Sequence, residues 1–313
     1  MQRLDRINAW DLTEDVATVR RNSGIGDKVK LMGKEYKVYT PSVVLFEDRS
    51  DLHRYVVQRL VGAISDHGLG PNTPTGNTYK PIWQEAAERK SELYRLLRDK
   101  ELGGLDEYHP IDPGEVNYSQ TYEYYRRMLI ANPLGLDMAQ FIAPDGKNPD
   151  GNAETLRFKG RLADSKWSIT LLGIGPDEKT VQGRAVPASA HIGFVPPGTA
   201  PDQGAMYIRL DEGTIYANSQ GAPDPNNFYR NAITQGPREI GQAYEHLLAA
   251  TGTNKKQNIR KVLFTEPSLD IPASLVNLYP QTTIVLDDEA AELVLAEVNK
   301  LPQEATIFPS AKI

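Results

Sequence analysis

An α+β fold is what this sequence predicts: a helical N-terminal part carrying one β-hairpin, then a mixed sheet of short strands, then a C-terminal β-α-β-α unit. Three observations predict it. Apolar residues recur at helical spacing in three segments before about residue 131. Short apolar runs punctuated by Gly and Pro dominate after about residue 155. The end, "KVLFTEPSLDIPASLVNLYPQTTIVLDDEAAELVLAEVNKL", alternates strand-like and helix-like segments. The compositional change between these sets suggests a domain boundary near 150, with a mainly helical part at 1–150 and an α/β part at 151–313.

Residues 1–24 show only a weak helical pattern before "SGIGD", so an arm that packs on another chain is expected there. "KVKLMGKEYKVYTPSVVLF" (28–46) reads as a hairpin turning at Gly33-Lys34, with β-branched residues on both sides. In the next segment Leu52, Tyr55, Val56, Leu60 and Ile64 fall on one helical face, with Ser50 or Asp51 as a start and Gly68 as an end. "LGPNTPTGNTYKP" (69–81) is a loop by composition. "PIWQEAAERKSELYRLLRDKEL" is the strongest helix, with Pro81 in its first turn and Gly103-Gly104 stopping it. A third helix spans about 118–131 and ends before Pro133.

A Gly- and Pro-rich bridge (133–154) follows. Beyond it, "LRFKGRLA", "KWSITLLGI" and "SAHIGFV" read as strands, and "PREIGQAYEHLLAA" as a helix over about 237–250. "MYIRLDEGTIYAN" (206–218) shows two alternating runs meeting at Asp-Glu-Gly. That pattern predicts a hairpin whose turn is Asp211-Glu212-Gly213, rather than a catalytic acid pair beside Arg209.

Composition narrows the chemistry. The balance of 35 Lys plus Arg against 41 Asp plus Glu gives a net charge of -6, and no basic run gathers cations, so nucleic acid is not expected as a main partner. There is no cysteine, which removes disulfides, thiolate nucleophiles and Cys-based metal sites. The charged start is no secretory signal, and no window approaches the roughly 18 apolar residues of a membrane span. A protein of the cytoplasm or of a virion is the expectation.

The glycine loops "GLGPN" (68–72) and "GIGPD" (173–177) complete neither dinucleotide nor P-loop patterns, and each Pro lacks an N–H where a phosphate would want one, so ordinary turns are expected. His53, His67, His109, His191 and His246 show no metal-ligand spacing, and no G-x-S-x-G nominates a serine. The sharpest enzymatic constellation is Glu266, Asp287 and Asp288. If "KVLFTE" and "TTIVLDD" are neighbouring parallel strands, these carboxylates emerge together at the carboxyl ends and could hold Mg²⁺. Asp287 or Asp288 as a helix cap is the favoured alternative, and no cofactor is then expected.

Tyr outnumbers Phe 15 to 7, with a cluster in "YSQTYEYYRR" that suits either an interface or partly exposed core packing. Long loops, surplus Tyr, the arm and the missing catalytic motifs together point to a structural protein. It would assemble a larger particle such as a virion head or tail through contacts with other subunits, as a homo-oligomer. A carboxylate- and Mg-dependent transferase or hydrolase, or a secreted effector binding a host target, are the alternatives.

Overall fold

The computed structural model describes residues 9–74, 78–110, 121–181, 184–186, 188, 190–219 and 228–301. Strand β1 (Ala9–Asp11) leads into helix α1 (Thr13–Asn22), and β2 (Lys28–Leu31) and β3 (Lys34–Lys37) form a hairpin. Strand β4 (Ser42–Phe46) feeds α2 (Arg49–His67), which Asp48 caps by accepting from the Ser50 amide at 2.6 Å. Next come β5 (Asn72–Thr73), α3 (Lys80–Glu88), α4 (Lys90–Leu97), β6 (Leu102–Gly104) and β7 (Asp106–His109). Helix α5 (Tyr122–Tyr125) continues through a π-helical turn, Arg126–Ala131, into α6 (Asn132–Leu134).

The second half opens with β8 (Phe141–Ile142), α7 (Gly151–Leu162) and β9 (Trp167–Leu172). Strands β10 (Lys179–Val181) and β11 (Arg184–Val186) pair with each other. They precede β12 (Met206–Arg209), α8 (Glu212–Ser219), β13 (Asn231–Thr234) and α9 (Pro237–Ile240). The chain then runs through β14 (Ala243–Ala250), α10 (Lys256–Phe264), a 3-10 helix at Pro272–Leu278, β15 (Thr282–Asp287) and α11 (Asp288–Val298).

Eight strands form one sheet in the order β1-β4-β15-β14-β9-β5-β6-β8. All pairings are parallel except β1 on β4 at the edge. Its central strands are apolar on both faces because helices cover both. Leu171, Leu247, Ala249 and Val285 pack against α2 and α3 on one side. Their neighbours Leu172, Leu248, Ala250 and Leu286 pack against α1, α10 and α11 on the other. Burying such leucines stabilises by about 1.5 to 3 kcal/mol each. The molecule is thus mixed α/β with a large, mostly parallel sheet, and that sheet contains strands from both sides of residue 150. A second sheet, β12-β13-β7, is antiparallel and three-stranded. Among the described residues no helix is long and apolar enough to cross a membrane.

Several expectations are corrected. Residues 9–24 are no arm: β1 extends the main sheet, Leu12, Val16 and Val19 enter the core, and Arg20 donates to the Leu263 carbonyl at 2.8 Å. Residues 206–218 are no hairpin. Strand β12 pairs with β13, more than 20 residues on, and Asp211 starts a helix by accepting from the Thr214 amide at 2.8 Å. "LRFKGRLA" lies in α7, "SAHIGFV" forms no strand within its described residues, and "KVLFTE" is mostly α10, whose Ile259, Val262 and Leu263 supply a helical face. "AYEHLLAA" is a strand because both its faces are covered, which overrides the helix preference of Leu, Ala and Glu. The long helix after residue 80 breaks into two at Arg89. The N-terminal hairpin turns at Met32-Gly33, whose φ values of 48° and 81° suit a two-residue turn with both residues left-handed.

Candidate active site

The chain order in the main sheet reverses between β9 and β5. One run, β5, β6, β8, proceeds outward in one direction, and another, β9, β14, β15, in the opposite one. Open α/β sheets leave a crevice at the carboxyl ends of the strands beside such a reversal. A cavity of about 380 Å³ lies there, lined by residues that follow β5 (Pro74, Thr78), β6 (Asp106), β9 (Gly173, Gly175) and β14 (Asn254, Lys255), with His191 and Asn218 contributed from beyond.

Asp106 enters this cavity from the second sheet. The β7–β13 register sets it directly opposite Thr234, so the two side chains share a face. The Thr234 hydroxyl lies 2.5 Å from Asp106 Oδ1, and the Phe194 amide donates to the same oxygen at 3.2 Å. Gly193 makes this approach possible. Its φ is +55°, and a Cβ there would lie 3.0 Å from Asp106 Oδ1. Burial pushes the Asp106 carboxyl up to about 7, against the opposing pull of Thr234, the Phe194 amide and the Arg126 guanidinium.

Glu107, on the next residue, points away into a different role. It pairs with buried Arg126 at 2.7 Å and accepts from the amides of Tyr122 at 2.8 Å and Glu123 at 2.6 Å, so it closes the start of α5. Burial raises its carboxyl, with Arg126 the main opposing influence. Arg126 also donates to the Asp106 carbonyl at 2.9 Å, which ties α5 and its continuation to the backbone of the site. Tyr108, Tyr122, Phe194 and Tyr229 pack behind it as an aromatic cluster. Tyr122 of the tyrosine-rich segment is thus core within its own chain.

His191 is held by its carbonyl, which accepts from the Gly175 amide at 3.0 Å, and by its ring, whose Nδ1 is 3.0 Å from the Thr214 hydroxyl. Burial brings the imidazole down to about 4, with Asp211 opposing and Lys255 adding to the shift, so the ring is neutral at physiological pH. Lys255 reaches the Ile174 carbonyl at 2.5 Å on the opposite loop. The "GIGPD" segment therefore forms one wall of the cavity, and its Asp177 caps α10 through the amides of Gln257 at 2.9 Å and Asn258 at 2.8 Å.

The carboxylates singled out from sequence do not converge. Asp287 ends β15, and its Oδ1 accepts from the Ala290 amide at 2.9 Å as the cap of α11. It also receives the Gly252 amide at 3.0 Å and Arg49 Nε at 2.6 Å. Asp288 is exposed on the first turn of α11. Glu266 is exposed beyond the end of α10, which runs back from the carboxyl ends of the strands to their opposite edge. Among the described residues no three His, Asp or Glu side chains are grouped to hold a metal ion.

Sequence reasoning missed Asp106, Thr214 and Thr234 and set His191 aside. One signal was present: "LGGLDEYH" carries two acidic residues inside a strand-forming stretch, and its glycines serve close packing. A Cβ on Gly103 would lie 2.3 Å from Asn72 Oδ1, and one on Gly104 would lie 2.7 Å from Ala143 Cβ.

No family model matches the chain. It is 29% identical over 256 residues to the glucosamine-6-phosphate deaminase of Bacillus pumilus, over 80% of this chain and 99% of that protein. It is 30% identical over 221 residues to that of Halothermothrix orenii, over 70% of this chain and 86% of that protein. Among solved structures it is similar to a monomeric glucosamine-6-phosphate deaminase of the NagB superfamily, with a TM-score of 0.69 at 25% identity over 80% of this chain and 99% of that one. A 6-phosphogluconolactonase from Leishmania guyanensis shares the fold, with a TM-score of 0.61 at 16% identity over 81% of this chain and 98% of that one.

These relatives overturn the expectation of a virion head or tail component: they are metabolic enzymes, and this chain spans nearly their whole length. The features that suggested assembly have local explanations, since residues 9–24 of the supposed arm and Tyr122 both pack on the chain's own body, while residues 1–8 lie outside the described residues. By sequence and by fold, the chain belongs to the glucosamine-6-phosphate deaminase family of the NagB superfamily.

Proposed function

We propose that this protein deaminates a 2-amino-2-deoxyaldose phosphate of the glucosamine 6-phosphate kind, converting it with water to the 2-ketose phosphate and ammonia. The single observation that carries the reading is Asp106, a buried carboxyl on the cavity wall whose pKa is raised to about 7. A general base works best when its pKa lies near the operating pH.

The chemistry follows from the substrate. Ring opening moves a proton from the C1 hydroxyl to the ring oxygen, a transfer suited to the neutral imidazole of His191. In the open aldehyde the C2 proton is acidified by the neighbouring carbonyl. The Asp106 carboxylate removes it, and the electron pair moves onto the C1 oxygen, which takes a proton from the substrate's own 2-ammonium group to give an enolamine. Return of a proton to C1 leaves a 2-imine. Water adds to that imine, and ammonia departs.

Lys255 lines the cavity between the segments after β9 and β14, and a phosphate dianion beside its ammonium would gain a charge-assisted contact.

The test is direct. Purified protein given glucosamine 6-phosphate is expected to release ammonia and a ketose phosphate in equal amounts. Hydrolysis of 6-phosphogluconolactone with no ammonia from the amino sugar would replace this reading with a lactonase.

A further inference from the structure

We infer that Asp211 and Thr214 form a hydroxyl-bridged relay that fixes His191 in one tautomer, with Nδ1 protonated, making Thr214 a positioning residue. The geometry carries it. Thr214 Oγ1 lies 2.7 Å from Asp211 Oδ2 and 3.0 Å from His191 Nδ1. Thr214 is buried, with 1% of its surface exposed.

A hydroxyl has one proton to give. The carboxylate oxygen can only accept, and a hydrogen bond to an ionised acceptor is shorter and stronger than one to a neutral ring nitrogen, in keeping with the shorter of the two distances. The Thr214 proton therefore points to Asp211. Its oxygen is left as an acceptor for His191, which meets it with Nδ1–H. The reverse arrangement would set two acceptor oxygens 2.7 Å apart with no proton between them.

The relay is built from one short stretch. Asp211 Oδ1 accepts from the Thr214 amide at 2.8 Å, and the Asp211 carbonyl accepts from the Ile215 amide at 2.9 Å. The residue that starts α8 thus also holds the hydroxyl in place, and the ring is aligned by the same contacts that begin the helix. Fixing the tautomer through the far nitrogen is how an imidazole is prepared as a proton acceptor at the other.

The relay's kinetic consequence rests on the proposed deamination, but its structural content does not. In protein with ¹⁵N-labelled histidine rings, at a pH near 7.5, two-bond ¹H–¹⁵N spectra report which ring nitrogen carries the proton. His191 is assigned as the signal missing from H191Q. We expect Nδ1–H in the wild type and in T214S, and a shift to Nε2–H or a mixture in T214V.

With glucosamine 6-phosphate as probe, T214V should lose about ten-fold or more in kcat, within the range general acid–base groups contribute, with T214S restoring most of it. An Nε2–H ring in the wild type, or a T214V protein that keeps the Nδ1–H form, would overturn the relay. Failure to release ammonia in a wild type that shows Nδ1–H would instead remove the proposed reaction and leave the relay standing.

Discussion

Asp287 and Asp106 lie at the same end of the main sheet, one closing β15 and the other just beyond β6, and they have opposite fates. Both oxygens of Asp287 are engaged by the Gly252 amide, and the Ala290 amide and Arg49 take up the rest. Asp106 receives Thr234 and the Phe194 amide on Oδ1 alone, and burial outweighs these contacts. A carboxylate saturated by backbone amides and a guanidinium serves the fold. One that is desolvated without full compensation, against a cavity, holds its proton near neutrality and is available for chemistry.

The comparison can be broken in order of effect. D106N keeps the side chain's shape and its hydrogen bond from Phe194, and should lower the rate of ammonia release by about 10² to 10⁴-fold, the contribution of a general base. Circular dichroism should show the fold unchanged. D287A should reverse the pattern. Its activity in the folded protein should stay close to wild type, while denaturant unfolding shows a loss of about 1 to 2 kcal/mol from the missing cap.

G193A falls between the two. A Cβ at φ +55° costs about 1 kcal/mol or more, and its 3.0 Å approach to Asp106 Oδ1 should also lower kcat. E266Q and D288N, on exposed residues, should stay within about 0.5 kcal/mol of wild type with full activity.

Stability against pH sharpens the same contrast. The Asp106 carboxyl rises from 3.8 to about 7 on folding, so the folded chain holds that proton more tightly than the unfolded one. Its contribution is complete below the unfolded value and is lost as pH rises through about 7. The melting temperature of D106N should therefore gain on wild type between pH 5 and pH 8. His191 falls from 6.5 to about 4, so its effect runs the other way: it is complete above 6.5 and lost as pH falls towards 4. H191Q should lose the corresponding part of the acid destabilisation.

Much of the helical layer was legible in the sequence. Leu52, Val56, Leu60 and Ile64 mark α2 by spacing alone, and Asp287 could be read as a cap because an acidic pair precedes the apolar face of α11. The central strands were harder. "HLLAA" in β14 is buried on both faces, and a continuous apolar run carries no period that separates strand from helix.

The site was least legible because its parts come from four separate stretches of chain. Asp106 meets Thr234 across 128 residues, and His191 meets Thr214 across 23, through a register and a helix start that no local pattern displays. The Tyr-rich segment suited an interface and core packing alike, and Tyr122 packs with Tyr108 in a buried cluster beside the cavity. A buried aromatic and an interface aromatic look alike in one dimension.

The most direct test of the central claim follows the proton that Asp106 is assigned to remove. Glucosamine 6-phosphate carrying deuterium at C2 is incubated with wild type and with D106N, and loss of the label is followed by NMR as ammonia appears. The wild type should strip deuterium from C2 in step with ammonia release, and D106N should leave it in place. A D106N protein that removes the label at the wild-type rate, or a wild type that leaves C2 untouched, would contradict the assignment of Asp106 as the base.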